Sequence, residues 1–187
     1  MSVERYHQLI DDGAFTPNDH VELIHGMVIQ KMSKNPPHIM TLKILFSLLT
    51  KLLADSILWH VSKEDPITLS DSEPEPDCAI IRGRFQDYPH GNPTPADTGL
   101  VIEVSDSTLG FDRNVKRIIY AENKIRHYWI VNIPEDKIEV YSEPFSTGER
   151  ADYRYQTVYL AGESVPIVLD GEEIGRIHVS DILPPNL

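Results

Sequence analysis

Two carboxylates set inside aliphatic runs constrain this chain more than any other feature of it. Pro74-Glu75-Pro76-Asp77-Cys78-Ala79-Ile80-Ile81 reads as a proline-edged entry into a short buried strand. Leu100-Val101-Ile102-Glu103-Val104-Ser105 reads as a second strand of the same kind, with an acid in its middle. Burying a lone carboxylate costs several kcal/mol unless it is paired or bound to a metal. Asp112-Arg113-Asn114-Val115-Lys116-Arg117-Ile118-Ile119-Tyr120 follows and opens a helix, with Asp112 at its start. Residues 112, 116 and 120 recur at four-residue spacing, so Asp112, Lys116 and Tyr120 share one helix face, while Val115, Ile118 and Ile119 supply the buried stripe. Two acids on neighbouring apolar strands with a lysine close behind suggest a metal site with a cationic helper. The plainer alternative makes Asp77 a strand cap, pairs Glu103 with an arginine, and leaves Lys116 solvated beside Asp112.

The rest of the chain supplies a scaffold for one sizeable core. A short helix over 2–12 precedes a hairpin formed by Val21-Glu22-Leu23-Ile24, the turn His25-Gly26, and Met27-Val28-Ile29. Strict alternation points Glu22 away from Leu23, towards water. Ser33-Lys34-Asn35-Pro36-Pro37 offers helix-entry chemistry, and Ile44, Leu45, Leu48, Leu49, Leu52 and Leu53 then mark a core helix over 38–54. His38 lies in its first turn, where a histidine is ordinarily a surface or capping residue. Residues 57–69 read as one bent strand or two short ones, and 83–99 as a long surface loop. Tyr128-Trp129-Ile130-Val131 and 137–141 form a further hairpin, and 153–160, 165–169 and 173–179 three more short strands. The order predicts an α/β or α+β fold, a mixed sheet with a helix packed on each face. The strand–helix–strand unit at 100–131 is long enough for a parallel crossover. Length and the absence of a linker predict a single domain over 1–187.

Charge narrows the partners. With 17 Lys and Arg against 29 Asp and Glu, the chain carries a net charge of −12. A protein that coats nucleic acid is basic, because phosphate neutralisation dominates such binding. Either any nucleic-acid contact here is confined to a local patch, or nucleic acid is not the partner. The single cysteine, Cys78, excludes an internal disulfide and a Cys/His zinc framework. The first residues lack the apolar stretch of a signal peptide, and no run approaches a membrane span. The expected setting is cytoplasmic, without membrane contact.

If Asp77 and Glu103 converge, their carboxylates, the backbone carbonyl of Val104 and waters make an oxygen-rich half-shell. Such hard ligands suit Mg²⁺ or Mn²⁺ rather than zinc. An ion of this kind can activate water and stabilise phosphate charge.

The combination of Glu22-Leu23-Ile24-His25-Gly26, His38 before a long helix, Glu75-Pro76-Asp77, Val101-Ile102-Glu103-Val104-Ser105, Asp112-Arg113-Asn114-Val115-Lys116 with Tyr120-Ala121, and Tyr128-Trp129-Ile130-Val131 resembles the Uma-two family of the PD-(D/E)xK nuclease superfamily. The resemblance runs over about residues 2–145 and leaves 146–187 outside it. It implies a restriction-endonuclease-like core and metal-dependent hydrolysis of DNA phosphodiesters. Carried over residue by residue, it makes Asp77 and Glu103 metal ligands, Glu22 an upstream acid that adds a ligand or holds a water, and Lys116 the displaced lysine. His38 and Tyr120 match site-lining positions. Ser105 occupies the place two residues after the second acid where the superfamily carries its lysine. His25 stands where the family commonly has Asp. The expected assembly is a homodimer acting on DNA. The competing expectation is a non-catalytic nuclease-fold protein that binds DNA or a protein partner.

Overall fold

The computed structural model describes residues 1–16, 18–148 and 150–184. Its centre is a six-stranded mixed sheet in the order β3-β4-β5-β6-β7-β8. The strands are β3 (Trp59–Ser62), β4 (Cys78–Arg82), β5 (Thr98–Ser105), β6 (His127–Asn132), β7 (Lys137–Ser146) and β8 (Ala151–Leu160). Of the neighbouring pairs, β5 and β6 run parallel and the others antiparallel. The crossover between β5 and β6 is a helical segment, α3 (Leu109–Phe111), a π-helical turn (Asp112–Lys116) and α4 (Arg117–Glu122). All eight residues of β5 are buried. That is why its sequence is aliphatic on both alternating faces.

The two faces of the sheet carry different cores. On one, Ile80, Leu100, Ile102 and Val104 pack against Leu42, Leu45 and Leu49 of α2 (Pro36–Leu52). The hairpin of β9 (Ser164–Leu169) and β10 (Glu172–His178) joins them through Val165, Ile167 and Ile177, as does α5 (Val179–Ile182). On the other, Ala79, Ile81, Val101 and Ile130 meet Ile119, Tyr120 and Ala121 of α4 and the buried tyrosines Tyr128, Tyr141 and Tyr153. Fully burying a Leu or Ile side chain contributes roughly 1.5–3 kcal/mol. Glu103, two residues from Val101 in β5, faces α4 and there meets Lys116 and Tyr120.

The N-terminal region caps one end of this sheet. Helix α1 (Val3–Asp11), with Ser2 as its N-cap, packs Val3 and Tyr6 on Leu23 of β1 (Val21–Ile24), which pairs with β2 (Met27–Gln30). The turn between them has φ of 45° at His25 and 68° at Gly26, the left-handed pair that a two-residue hairpin requires.

Three expectations change. Residues 66–69 form no strand: Ile67 and Leu69 are buried, but their N–H groups bond to Pro74 and Ser72 carbonyls, within a compact loop. The crossover helix starts at Leu109 rather than Asp112, because the Thr108 carbonyl already accepts the N–H groups of Phe111 and Asp112. Of the stripe expected in that helix, Ile119 is buried, whereas Val115 and Ile118 are partly buried beside fully covered Asp112 and Lys116. The turn at residues 17–19 involves position 17, which lies outside the described residues. Among the described residues, no helix is long and apolar enough to cross a membrane.

Candidate functional site

Strand register brings the two acids together. Cys78 pairs with Ile102 in the antiparallel β4–β5 ladder. Asp77 immediately precedes Cys78 and Glu103 immediately follows Ile102, so the register carries both acids to the same end of the sheet. Both line a cavity of about 190 Å³ at the end of the sheet where β4 begins and β5 ends, together with Glu22, His38, Asp112 and Lys116. These six charged or titratable residues are only 3–7% exposed.

Each is held by identifiable partners. Asp77 Oδ2 accepts the Val104 N–H at 2.8 Å, and Oδ1 lies 3.0 Å from Lys34 Nζ and 3.1 Å from His38 Nε2. Asn35 caps α2 by accepting the His38 N–H at 3.1 Å, which fixes the histidine over the acid. Glu103 Oε1 accepts from Lys116 Nζ at 2.9 Å and from the Tyr120 hydroxyl at 2.8 Å. Lys116 Nζ is also 3.5 Å from Glu22 Oε2, which accepts the Glu75 N–H at 3.2 Å. Ser105 donates to Asp112 Oδ2 at 2.7 Å.

Lys116 and Asp112 thus line one cleft, and Tyr120 reaches it through its hydroxyl on Glu103. The π-helical turn carrying Asp112 and Lys116 is anchored from behind. Arg113 donates through Nε to buried Glu139 Oε2 at 3.1 Å and also pairs with it through Nη2. Asn132 and Tyr141 add bonds to Glu139 of 2.8 and 2.7 Å. π-Helical turns inside helices are frequent at functional sites.

The electrostatics follow from this crowding. Burial alone would raise the Asp77 carboxyl, but the hydrogen bond and charge of His38, the charge of Lys34 and the Val104 N–H outweigh it. Asp77 is held well below the usual carboxylate range. Glu103 moves the other way, to about 8: burial raises it, Lys116 opposes, and the charges of Asp112, Asp77 and Glu22 add to the rise. Burial also raises Asp112, against the pull of Lys116. For Lys116, burial favours the neutral form, yet the charges of Glu103, Glu22 and Asp112 prevail and raise its pKa.

Several plain expectations fail. Glu22 is buried rather than solvated, because the 73–75 segment bridges onto β1 through Leu23 and Glu73 and closes over it. His38 is a buried partner of Asp77, not a surface cap. Lys116 is buried on Glu103, not solvated. Val104 meets Asp77 through its N–H. Lys34 was not singled out by the sequence, although it touches Asp77 and Glu64. Its signal was position alone, just before the Asn35 cap of the His38 helix. Among the described residues, no three His, Cys, Asp or Glu side chains are gathered for a metal.

Comparison with known proteins agrees with this fold. A solved structure described as a putative nuclease belonging to DUF820 from Anabaena variabilis aligns over 97% of this chain and 97% of its own, with a TM-score of 0.73 and 16% sequence identity. No curated protein matches. The model of the Uma2 family, described as "Putative restriction endonuclease", matches residues 3–173, beyond the segment to which the sequence motifs extend. This chain therefore belongs to the Uma2 family.

Proposed function

We propose that this protein is a divalent-metal-dependent DNA endonuclease that hydrolyses phosphodiester bonds in the Asp77–Glu103 cleft. The observation that carries the reading is that Asp77 and Glu103 line one cavity, with Lys116 Nζ 2.9 Å from Glu103. Mg²⁺ is commonly held by one or two carboxylates, its remaining positions taken by waters and substrate phosphates. The oxygen donors Asp77 and Glu103, with the Val104 carbonyl as a further candidate, fit that donor set. A Mg²⁺ or Mn²⁺ ion there would supply an activated water and charge stabilisation at the phosphate.

The protein's own groups have separable roles in this reading. Asp77 and Glu103 hold the cation. Lys116, kept protonated by its acidic neighbours, places a positive charge beside the attacking water or the phosphate. Glu22 holds Lys116 from the other side. His38 orients Asp77, Tyr120 orients Glu103, and Ser105 holds Asp112. A homodimer belongs to the same proposal, with light scattering as its test.

The net charge of −12 favours a second reading, a nuclease-fold protein that binds DNA or a protein partner without cleaving. Incubating plasmid and single-stranded DNA with Mg²⁺, Mn²⁺ or EDTA separates the two. Cleavage that needs the metal and disappears in Asp77→Ala is the expected result; intact DNA under every condition sinks the enzymatic reading.

A further inference from the structure

Asp77 accepts from three donors, which take three of the roughly four lone-pair sites of its carboxylate and crowd Oδ1. Oδ2 takes the Val104 N–H, and Oδ1 takes both Lys34 Nζ at 3.0 Å and His38 Nε2 at 3.1 Å. A divalent cation on Oδ1 would compete with the ammonium for the same lone pairs and repel it at that range. The Val104 N–H is fixed by the sheet, and His38 is fixed by the capped first turn of α2. Lys34 is the exchangeable partner. It lies outside regular structure between β2 and α2, at the end of a flexible four-carbon stem, and Glu64 already offers it another acceptor. It lines the same cavity as Lys116.

We propose that Lys34 is an exchangeable counter-ion of the cleft: it neutralises Asp77 in the metal-free protein, leaves it when a divalent cation binds, and then turns its charge to a phosphate of the nucleic-acid substrate. The inference rests on the reading of Asp77 as a metal ligand. Its consequence is coupling. Lys34 opposes the cation when substrate is absent and favours substrate when the cation is present, so each ligand promotes the other reciprocally.

Lys31 provides the control, because it lines the same cavity but pairs with Glu75 at 2.5 Å instead of Asp77. Calorimetric titration with Mn²⁺ alone should show Lys34→Ala binding about 5–10-fold more tightly than wild type. Lys34→Met, which keeps most of the stem, should match it, and circular dichroism checks that both variants fold. Lys31→Ala, which removes a charge without freeing Asp77, should change affinity about twofold or less. Lys34→Arg should bind Mn²⁺ more weakly, since a guanidinium fork grips a carboxylate more firmly. In fluorescence anisotropy with a labelled DNA duplex, Ca²⁺ should tighten binding by wild type relative to EDTA, and Lys34→Ala should lose most of that gain. Equal Mn²⁺ effects of Lys34→Ala and Lys31→Ala, or weaker Mn²⁺ binding by Lys34→Ala, overturn the exchange while leaving the metal site standing. Absence of Mn²⁺ binding by the wild type removes the metal site and the exchange together.

Discussion

Lys116 Nζ lies 2.9 Å from Glu103 Oε1, joining a π-helical turn to a strand thirteen residues earlier in the chain. A lysine two residues beyond the acid on the same strand would be positioned by the sheet alone. Here that place holds Ser105, and the ammonium depends on how the crossover helix packs. Lys116→Ala should cost roughly 10²–10³ in cleavage rate while Mn²⁺ binding persists, because the lysine is not a ligand. Lys116→Arg should rescue only partly, since a planar fork does not replace a compact ammonium. Exposed Lys124 serves as the charge control. Cleavage by Lys116→Ala at the wild-type rate would refute the assignment.

Asp77→Ala removes one of the two carboxylates proposed to hold the cation. Mn²⁺ binding measured by calorimetry should weaken at least about tenfold, the scale that loss of even an outer-shell metal partner reaches. Unchanged affinity would place the ion elsewhere.

Glu103 makes stability depend on pH. Its folded-state pKa is about 8 against an ordinary 4.5, so the folded protein binds the proton more tightly than the unfolded chain. Stability contributed by this group is full below about pH 4.5 and is lost as pH rises towards 8. In EDTA, wild type should therefore lose ground to Glu103→Gln by a few kcal/mol across that window, and the difference should level off above it. Urea denaturation of both proteins at several pH values measures this. A pH-independent difference would contradict it.

Arg113 ties the π-helical turn to buried Glu139. Arg113→Ala leaves that carboxylate with Asn132, Tyr141 and, at 4.0 Å, Lys137, but without the guanidinium that bonds it directly. A loss of about 2 kcal/mol is expected, typical of an uncompensated buried group. Hydrogen exchange should quicken in residues 112–116 ahead of β5. Uniform quickening across the sheet would instead mean that Arg113 supports the whole fold.

Gly99 lies where the β4–β5 register shifts. A Cβ there would come within 2.8 Å of both the Trp59 ring and Leu169. Gly99→Ala should destabilise the protein by about 1–3 kcal/mol through overpacking, with Mn²⁺ binding retained because the cleft lies at the other end of β5. Thermal melts and the same calorimetry check both halves.

The sequence alone determined the parts governed by short-range periodicity. Short aliphatic runs in 100–105 and 77–81 set two buried strands with an acid in or beside each, and four-residue spacing put Asp112, Lys116 and Tyr120 on one face. Local chemistry also marked the His25-Gly26 turn and a helix entry within residues 33–37. Tertiary structure decided where those faces went. Glu22 alternates like an exposed residue, and only closure by the distant 73–75 segment buries it. Residues 66–69 look like a strand, but their N–H groups find acceptors in a loop instead of a ladder. Lys34 meets Asp77 across 43 residues, from a segment without periodicity. No local pattern can encode such a contact, because it depends on the packing of β2, α2 and β4 around a shared end of the sheet. Buried charge then makes the contact matter: once packing removes water from Asp77, a partner must be supplied from wherever the chain can bring one.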